Sequence, residues 1–434
     1  MAMLSRLTRR LSGLLGNAGN AAPTPTALPP RKSADTESAQ TYDAIEGSAC
    51  PRDVVLSLDQ CPVCGAAEFT KVCRYNRFVL FDRVPDADVS LYNYSLCHSC
   101  GVVFAARRPA GARYAWLLEH FEETIGRVAL GQERSGKITI SSHDLTDEGR
   151  KDLRRMAAHG VFVSGHLGLA RRDYLPSLMN DRLAASVHAE ILGSLLPLKT
   201  PRVLEIRSRL GSLSAILARL YDARCHVMTL FQNQQFLVQE LYGMPVSSRI
   251  DFDAFQVPFE GTFDLIVSNH MLTHAVRPRE FLAAVRERLA PGGHLYLYGE
   301  PVETEFLERG KSMFNTLNAF HLQTFDQASA IRALEANGFR VVFCTVRDDL
   351  FMALAQVADP ADGEWTRMSD TERSRRRKEY RQASDTAILR VPESLRAPFA
   401  HEWDEVARRA VAAGTAVLTK DGRVTVKRVE VSGG

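Results

Sequence analysis

The sequence predicts an α/β fold built on a mainly parallel sheet for residues 201–358. Three observations carry that prediction. Short apolar runs alternate with helical patterns, the arrangement expected of parallel βαβ units. The runs are 202–206 (Arg-Val-Leu-Glu-Ile), 225–230, 263–267, 294–298 and 340–343. Helix candidates lie between them at 212–221, 277–289 and 326–337. Finally, Pro291-Gly292-Gly293 follows the second helix and should end it, because Pro cannot extend a helix and Gly accepts the turn. A last apolar run, 350–357, suits a hairpin partner for the strand before it.

The rest of the chain divides by composition. At 434 residues it exceeds what one core usually organises. We expect an N-terminal arm and linker (1–49), a Cys-rich module (50–109), a helical connecting segment (110–200), the α/β domain (201–358) and a charged helical tail (359–434). Hydrophobic residues at 45% and charged residues at 24% are ordinary for a globular protein. A formal net charge of +3 is too small to imply nucleic-acid binding and gives no strong steering field. No apolar run approaches the length of a bilayer-spanning helix.

The first 34 residues contain no acidic residue, and Leu4, Leu7, Leu11, Leu14 and Leu15 recur at helical spacing among Arg6, Arg9 and Arg10. A frayed helix is the simplest reading, since Gly13 and Gly16 weaken it. A membrane-surface helix at residues 1–16 or a transit peptide are the alternatives. Residues 17–40, rich in Ala, Pro, Ser and Thr, read as linker. A helix is expected at 183–196. In the tail, the run Arg373-Ser-Arg-Arg-Arg-Lys378 reads as a solvated helix face. Lys420-Asp421-Gly422 reads as a hairpin turn.

Four of the eight cysteines form two CxxC pairs, Cys61/Cys64 and Cys97/Cys100, each followed by Gly. Two thiolates separated by two residues grip one metal ion from a single turn, and the Gly lets the backbone turn under the sulfurs. Two such knuckles make a closed tetrahedral shell, the pattern of structural zinc. His98 lies between two ligands and is expected to face outward. Zinc would stabilise a module too small to hold on apolar burial alone. This usage also fits a reducing, cytoplasmic compartment.

The string 203–206 followed by a turn into a helix, the string Phe263-Asp-Leu-Ile-Val-Ser-Asn-His-Met-Leu-Thr-His274, and Leu289-x-Pro291-Gly292-Gly293 occur in order. With His321, Phe325-Asp326 and Gly338-Phe339, they resemble class I S-adenosylmethionine-dependent methyltransferases across 202–357. Taken with the CxxC pairs, the chain resembles bacterial members with an N-terminal zinc-binding domain, some of which act on sugars. The resemblance implies a Rossmann-like domain with Glu205 and Gly211 near the methionine part of the cofactor. It also implies Asp253 and Ala254 near adenine, and Asn269 near the reacting centre. The sequence departs from the family at the loop after the first strand, which in the family reads E-x-G-x-G-x-G. Arg207 and Arg209 replace its first two glycines. Phe231 stands where a ribose-binding carboxylate is usual.

Two functional expectations follow. One is methyl transfer from S-adenosylmethionine to a small polar acceptor, such as a sugar or nucleotide sugar hydroxyl, with His270, His274 or His321 as general base. The other is a catalytically inactive domain used for binding or assembly, with Arg207 and Arg209 holding an anion at a helix N-terminus.

Overall fold

A computed structural model describes residues 55–75, 92–109, 171–208, 210–230, 242–248, 250–303, 321–347, 350–358, 365–389, 400–414, 416–418 and 424–426, with a few single positions between them. The expected N-terminal arm, most of the connecting segment, Arg209, Phe231 and the turn at 420–422 lie outside the described residues.

The Cys-rich module carries β1 (Val55–Ser57), β2 (Phe69–Tyr75), β3 (Tyr92–Cys97), β4 (Val103–Ala105) and β5 (Arg107–Pro109). Helix α1 (Arg171–Leu195) begins well before the predicted start at 183. The α/β domain then runs β6 (Arg202–Ile206), α2 (Ser212–Tyr221), β7 (Arg224–Met228), β8 (Val246–Ser247), β9 (Phe263–Asn269), α3 (Pro278–Arg288) and β10 (Leu289–Pro301). It continues with β11 (Gln323–Thr324), α4 (Gln327–Glu335), β12 (Phe339–Arg347) and β13 (Leu350–Val357). The tail holds α5 (Asp370–Leu389), α6 (Ala400–Ala412) and an antiparallel hairpin of β14 (Ala416–Leu418) and β15 (Val424–Val426).

Seven strands form the central sheet in the order β12-β13-β10-β9-β6-β7-β8. All its pairs are parallel except those of β13, which runs antiparallel to both neighbours, as the hairpin reading required. The chain winds outward from β6 to β8, then crosses back to place β9 on the other side of β6. Strand order therefore reverses between β6 and β9, and ligands of open α/β sheets collect outside the carboxyl ends of such strands. Those ends are Ile206 and Asn269.

The alternation along each strand sorts side chains onto two cores. Val203, Leu265, Val267 and Tyr296 face α1 and α2, whereas Leu204, Ile206, Ile266 and Leu295 join the core with α3, α4 and the Cys-rich module. Helix α4 starts with a capping box: Asp326 accepts from the Ser329 amide at 2.7 Å, and the Asp326 amide donates to Ser329 Oγ at 2.9 Å. The helix before the Pro-Gly-Gly segment ends as expected, and the segment has a second role. Helix α3 ends at Arg288, within one residue of the expected bound, and Leu289 is extended. Residues 290–293 also form an irregularity inside β10, where pairing with β9 jumps between Leu289 and His294.

Among the described residues, two of the links between the Cys-rich module and this sheet lie as follows, within one compact unit, Cys50–Gly434. The first is β11, which adds to the edge of the module's own sheet in the order β11-β4-β3-β2. The second is Arg376. The sequence placed it on a solvated face, and Arg375, Arg377 and Lys378 are indeed exposed, but Arg376 is buried. Its Nη2 lies 2.5 Å from both oxygens of buried Glu303, its Nη1 donates to the Gly101 carbonyl, and Asp326 lies 3.6 Å from its Nε. The correction has a simple cause: position 376 falls on the face of α5 that carries Tyr380, also fully buried, so the charge is drawn inside with its partners. Arg332 and Glu372 make a bidentate pair beside it, at 2.9 and 2.6 Å. Among the described residues no helix is long and apolar enough to cross a membrane.

Removing one member of a buried pair strands the other charge. Arg376→Ala should therefore cost about 3–5 kcal/mol in denaturant melts, and Arg376→Met with Glu303→Leu should recover most of that loss. A second prediction concerns acid. The Nδ1 of His188 on α1 lies 2.8 Å from the Tyr296 hydroxyl, and burial, reinforced by the charge of Arg347, pushes its pKa down to about 4. The unfolded chain takes up this proton near pH 6.5 and the folded chain only near pH 4, so stability falls as pH drops across that window. The loss is at most about 3 kcal/mol, and His188→Gln should remove that part of the pH dependence of the melts.

Candidate active site and metal centre

The two CxxC knuckles form as predicted. Gly65 and Gly101 adopt φ values of 78° and 80°, and their amides return to the carbonyls of Cys61 and Cys97 at 2.9 and 3.2 Å. Gly101 is also fixed by space, because a Cβ there would lie 2.7 Å from Arg376 Nη1. The Sγ atoms of Cys61 and Cys100 are 3.7 Å apart, and those of Cys64 and Cys97 are 3.6 Å apart. Disulfides need about 2.05 Å, whereas four thiolates around one zinc ion stand about 3.8 Å apart. The cluster therefore has the dimensions of a tetrahedral metal shell, with all four sulfurs within 4.8 Å of one another. Burial pushes the Cys61 and Cys100 thiols up, while hydrogen bonds from the neighbouring thiols hold Cys97 down. His98 is not part of the shell: its Nε2 lies 2.7 Å from Thr70 Oγ1.

At the crossover of β6 and β9, two residues other than glycine take left-handed backbone. Arg207 has φ 58° and His270 has φ 52°. Such a conformation costs on the order of 1 kcal/mol for an ordinary side chain and concentrates where function demands it. The Arg207 position is the one where glycine is expected from the resemblance. Its guanidinium spans the crevice and donates to the His270 carbonyl at 2.5 Å. The retained glycine, Gly211, has φ 69° and caps α2; a Cβ there would meet Val238 at 3.1 Å. Glu205 is buried and accepts from the Ser214 amide and hydroxyl at 3.0 and 2.6 Å, so it ties the first turn of α2 to β6. Among the described residues of this loop, the positive φ at Arg207 and Gly211 leads onto the N-terminus of α2, as a nucleotide-type cofactor would require. In that sense its backbone fits S-adenosylmethionine, with a guanidinium added inside the crevice.

Asp253 lies in the turn after β8. Its carboxylate accepts from the Gly111 amide at 3.1 Å and from Arg277 Nε at 2.6 Å, while Asp251 accepts from the Asp253 and Ala254 amides at 2.8 and 3.1 Å. Asn269 ends β9 beside Gly299, where a Cβ would lie 2.6 Å from Asn269 Oδ1.

The three candidate bases come together. The rings of His270 and His274 are 4.6 Å apart, those of His270 and His321 4.9 Å, and those of His274 and His321 5.0 Å. Burial, followed by the charge of Arg207, holds His270 and His274 well below the usual imidazole range, so both are neutral at pH 7. The Nε2 atoms of His270 and His274 are buried without a hydrogen-bond partner. Each such atom costs about 1–3 kcal/mol unless something satisfies it.

The groups that hold this cluster belong to no motif legible in the sequence. Glu300, buried on β10, accepts from the Leu272 and Thr273 amides at 2.7 and 2.9 Å and from the Thr273 hydroxyl. Gln323 donates to the carbonyls of Leu272 and Ala275, the latter at 2.9 Å. Arg108, buried in the Cys-rich module, donates to Val276 O at 3.1 Å, Leu322 O at 3.2 Å and Gln323 Oε1 at 3.0 Å. Tyr114 Oη lies 3.3 Å from His274 Nδ1, and the Tyr94 hydroxyl donates to His321 O at 3.1 Å. The Cys-rich module is therefore one wall of the histidine site.

A methyltransferase-domain family model matches residues 136–343, just under half of the chain. The fold is accordingly a mixed α/β, Rossmann-like methyltransferase fold with a central sheet. Solved structures with similar regions include the glycopeptide N-methyltransferase MtfA, 16% identical over 40% of this chain and 90% of that one, with a TM-score of 0.31. They also include an S-adenosylmethionine-dependent methyltransferase from Aquifex aeolicus, 15% identical over 39% and 88% with a TM-score of 0.32. A third, from Mesorhizobium loti, is 15% identical over 38% and 95% with a TM-score of 0.31. No curated protein matches the sequence.

Arg108→Leu should release the loops at 272–276 and 321–323 together. Its three hydrogen bonds to Val276 O, Leu322 O and Gln323 Oε1 are worth roughly 1–3 kcal/mol each when buried. The expected readout is a loss of several kcal/mol, with faster amide exchange concentrated at Thr273, Leu322 and Gln323.

Proposed function

We propose that the chain transfers a methyl group from S-adenosylmethionine to a small polar acceptor, such as a sugar or nucleotide sugar hydroxyl. The observation that carries this reading is the juxtaposition at the crossover crevice. The positive-φ residues Arg207 and Gly211 meet two neutral imidazoles with buried Nε2 atoms there, within a domain that matches a methyltransferase family model.

When bound, the cofactor supplies an electrophilic methyl group on a sulfonium sulfur. The chain's own residues divide the remaining work. Gly211 and the start of α2 receive the methionine part, and Asp253 and Ala254 border the adenine side. Asn269 lines the floor at the end of β9. The unpartnered Nε2 of His270 or His274 accepts the acceptor's hydroxyl proton, with His321 completing the ring of imidazoles. Neutrality at pH 7 leaves those lone pairs available. The four-cysteine cluster takes zinc as a structural ion, with no position left for chemistry.

The position of Arg207 supports a second reading, in which the domain binds an anion and does not catalyse. Its guanidinium already occupies the crevice. Calorimetric titration separates the two. On the transferase reading, S-adenosylhomocysteine binds in the micromolar range, and Arg207→Gly tightens binding up to about tenfold by relieving the backbone and clearing the crevice. On the anion reading, the same substitution abolishes phosphate binding and neither protein gives heat with S-adenosylhomocysteine.

A further inference from the structure

We propose that His270, His274 and His321 form a second metal centre, one that binds a zinc ion through three imidazoles and keeps a fourth position open to an oxygen ligand.

The geometry brings one ring nitrogen from each histidine within 4.8 Å of the others. Three nitrogens on a tetrahedral zinc stand roughly 3.3 Å apart, given a bond of about 2.05 Å. Side-chain rotations that move each nitrogen by on the order of 1 Å close the difference. The residues come from two separate segments, the turn after β9 and the segment before β11, so the cluster is not a by-product of one helix face. His274 and His321 are almost fully buried, and the Nε2 atoms of His270 and His274 are sealed from solvent with no partner. Packing of aromatic rings alone leaves those atoms unsatisfied, whereas a metal ion uses their lone pairs.

The surroundings have the form of a metal site's outer layer. Tyr114 Oη at His274 Nδ1 accepts the Nδ1 proton in the tautomer that frees Nε2 for the ion. Glu300, Gln323 and Arg108 fix the backbone of the segments that carry the ligands. The Arg207 guanidinium is the nearby positive charge, and the Glu300 carboxylate is the negative charge that offsets it. The donor set also selects the metal. Three neutral imidazoles with no carboxylate suit zinc or a related transition metal, and they exclude magnesium and calcium, which require oxygen ligands. Three protein ligands leave a fourth position, unlike the closed shell of the four cysteines. An acceptor hydroxyl or a water molecule is the ligand class that fits it.

The inference concerns the same crevice as the transferase reading but does not depend on it, because metal occupancy is measured without cofactor or acceptor; with an ion bound, the Nε2 lone pairs of His270 and His274 would serve as ligands, and the ion in place of an imidazole base would activate the acceptor hydroxyl. The full-length chain is equilibrated with excess zinc, passed over a desalting column, and its metal content measured. Two zinc ions per chain are expected in the wild type and one in His274→Gln and in His321→Ala. One zinc in the wild type, unchanged in both variants, overturns the proposal and leaves a water-filled histidine cluster. Should the variants not fold, cobalt titration of the wild type decides. The first equivalent gives intense sulfur-to-cobalt charge-transfer bands, and a second equivalent is expected to add weak visible bands without further sulfur absorption. Absence of any change beyond the first equivalent overturns it equally.

Discussion

The structure depends on one buried cation and its partners. Arg376 is held by the Glu303 carboxylate, the Gly101 carbonyl and the nearby Asp326. These come from the end of β10, a cysteine knuckle and the cap of α4. A guanidinium buried this deeply must be paired, because an unpaired charge in a low-dielectric interior is prohibitively costly. Satisfying it requires the tail helix, the Cys-rich module and the sheet to be in place together. That requirement couples parts of the chain that composition alone would separate into independent modules.

The same coupling reaches the histidine site. The strand that follows His321 pairs with β4, and Arg108 of the Cys-rich module bonds the carbonyls on both histidine-bearing segments. A metal ion at the cysteines would therefore fix the knuckles, the knuckles fix β3 and β4, and those strands fix the segment carrying His321. This gives the cysteine cluster a functional consequence without a chemical role of its own. The positive φ values at Arg207 and His270 follow from the same tightness, since a strained backbone persists only where its surroundings over-determine it.

The cofactor loop shows how a substitution can alter chemistry while preserving architecture. Arg207 keeps the left-handed backbone that glycine would take, and Gly211 still caps α2. What changes is the content of the crevice, where a guanidinium now bonds across to the His270 carbonyl. Glu205 and Asp253, the carboxylates marked by the resemblance, both bond to the chain itself. Recognition of the fold and recognition of the chemistry thus rest on different atoms.

The sequence by itself determined the periodic elements and the local motifs. β6, α2 and β13 match their predicted ranges because apolar alternation and helical spacing are encoded within a few residues. The cysteine knuckles were legible for the same reason, as each is a local turn closed by its own Gly. The three histidines could be named as candidates one at a time, but not as a cluster, because His321 is brought to His270 by pairing across the sheet edge. Only the tertiary structure decided that Arg376 is buried, that the Pro-Gly-Gly segment lies inside β10 as an irregularity of its pairing, and that Arg108, Glu300 and Gln323 brace the site. Each of those outcomes is set by contacts between residues distant in the chain, and neither propensity nor spacing encodes which distant partner will satisfy a buried charge or a buried backbone group.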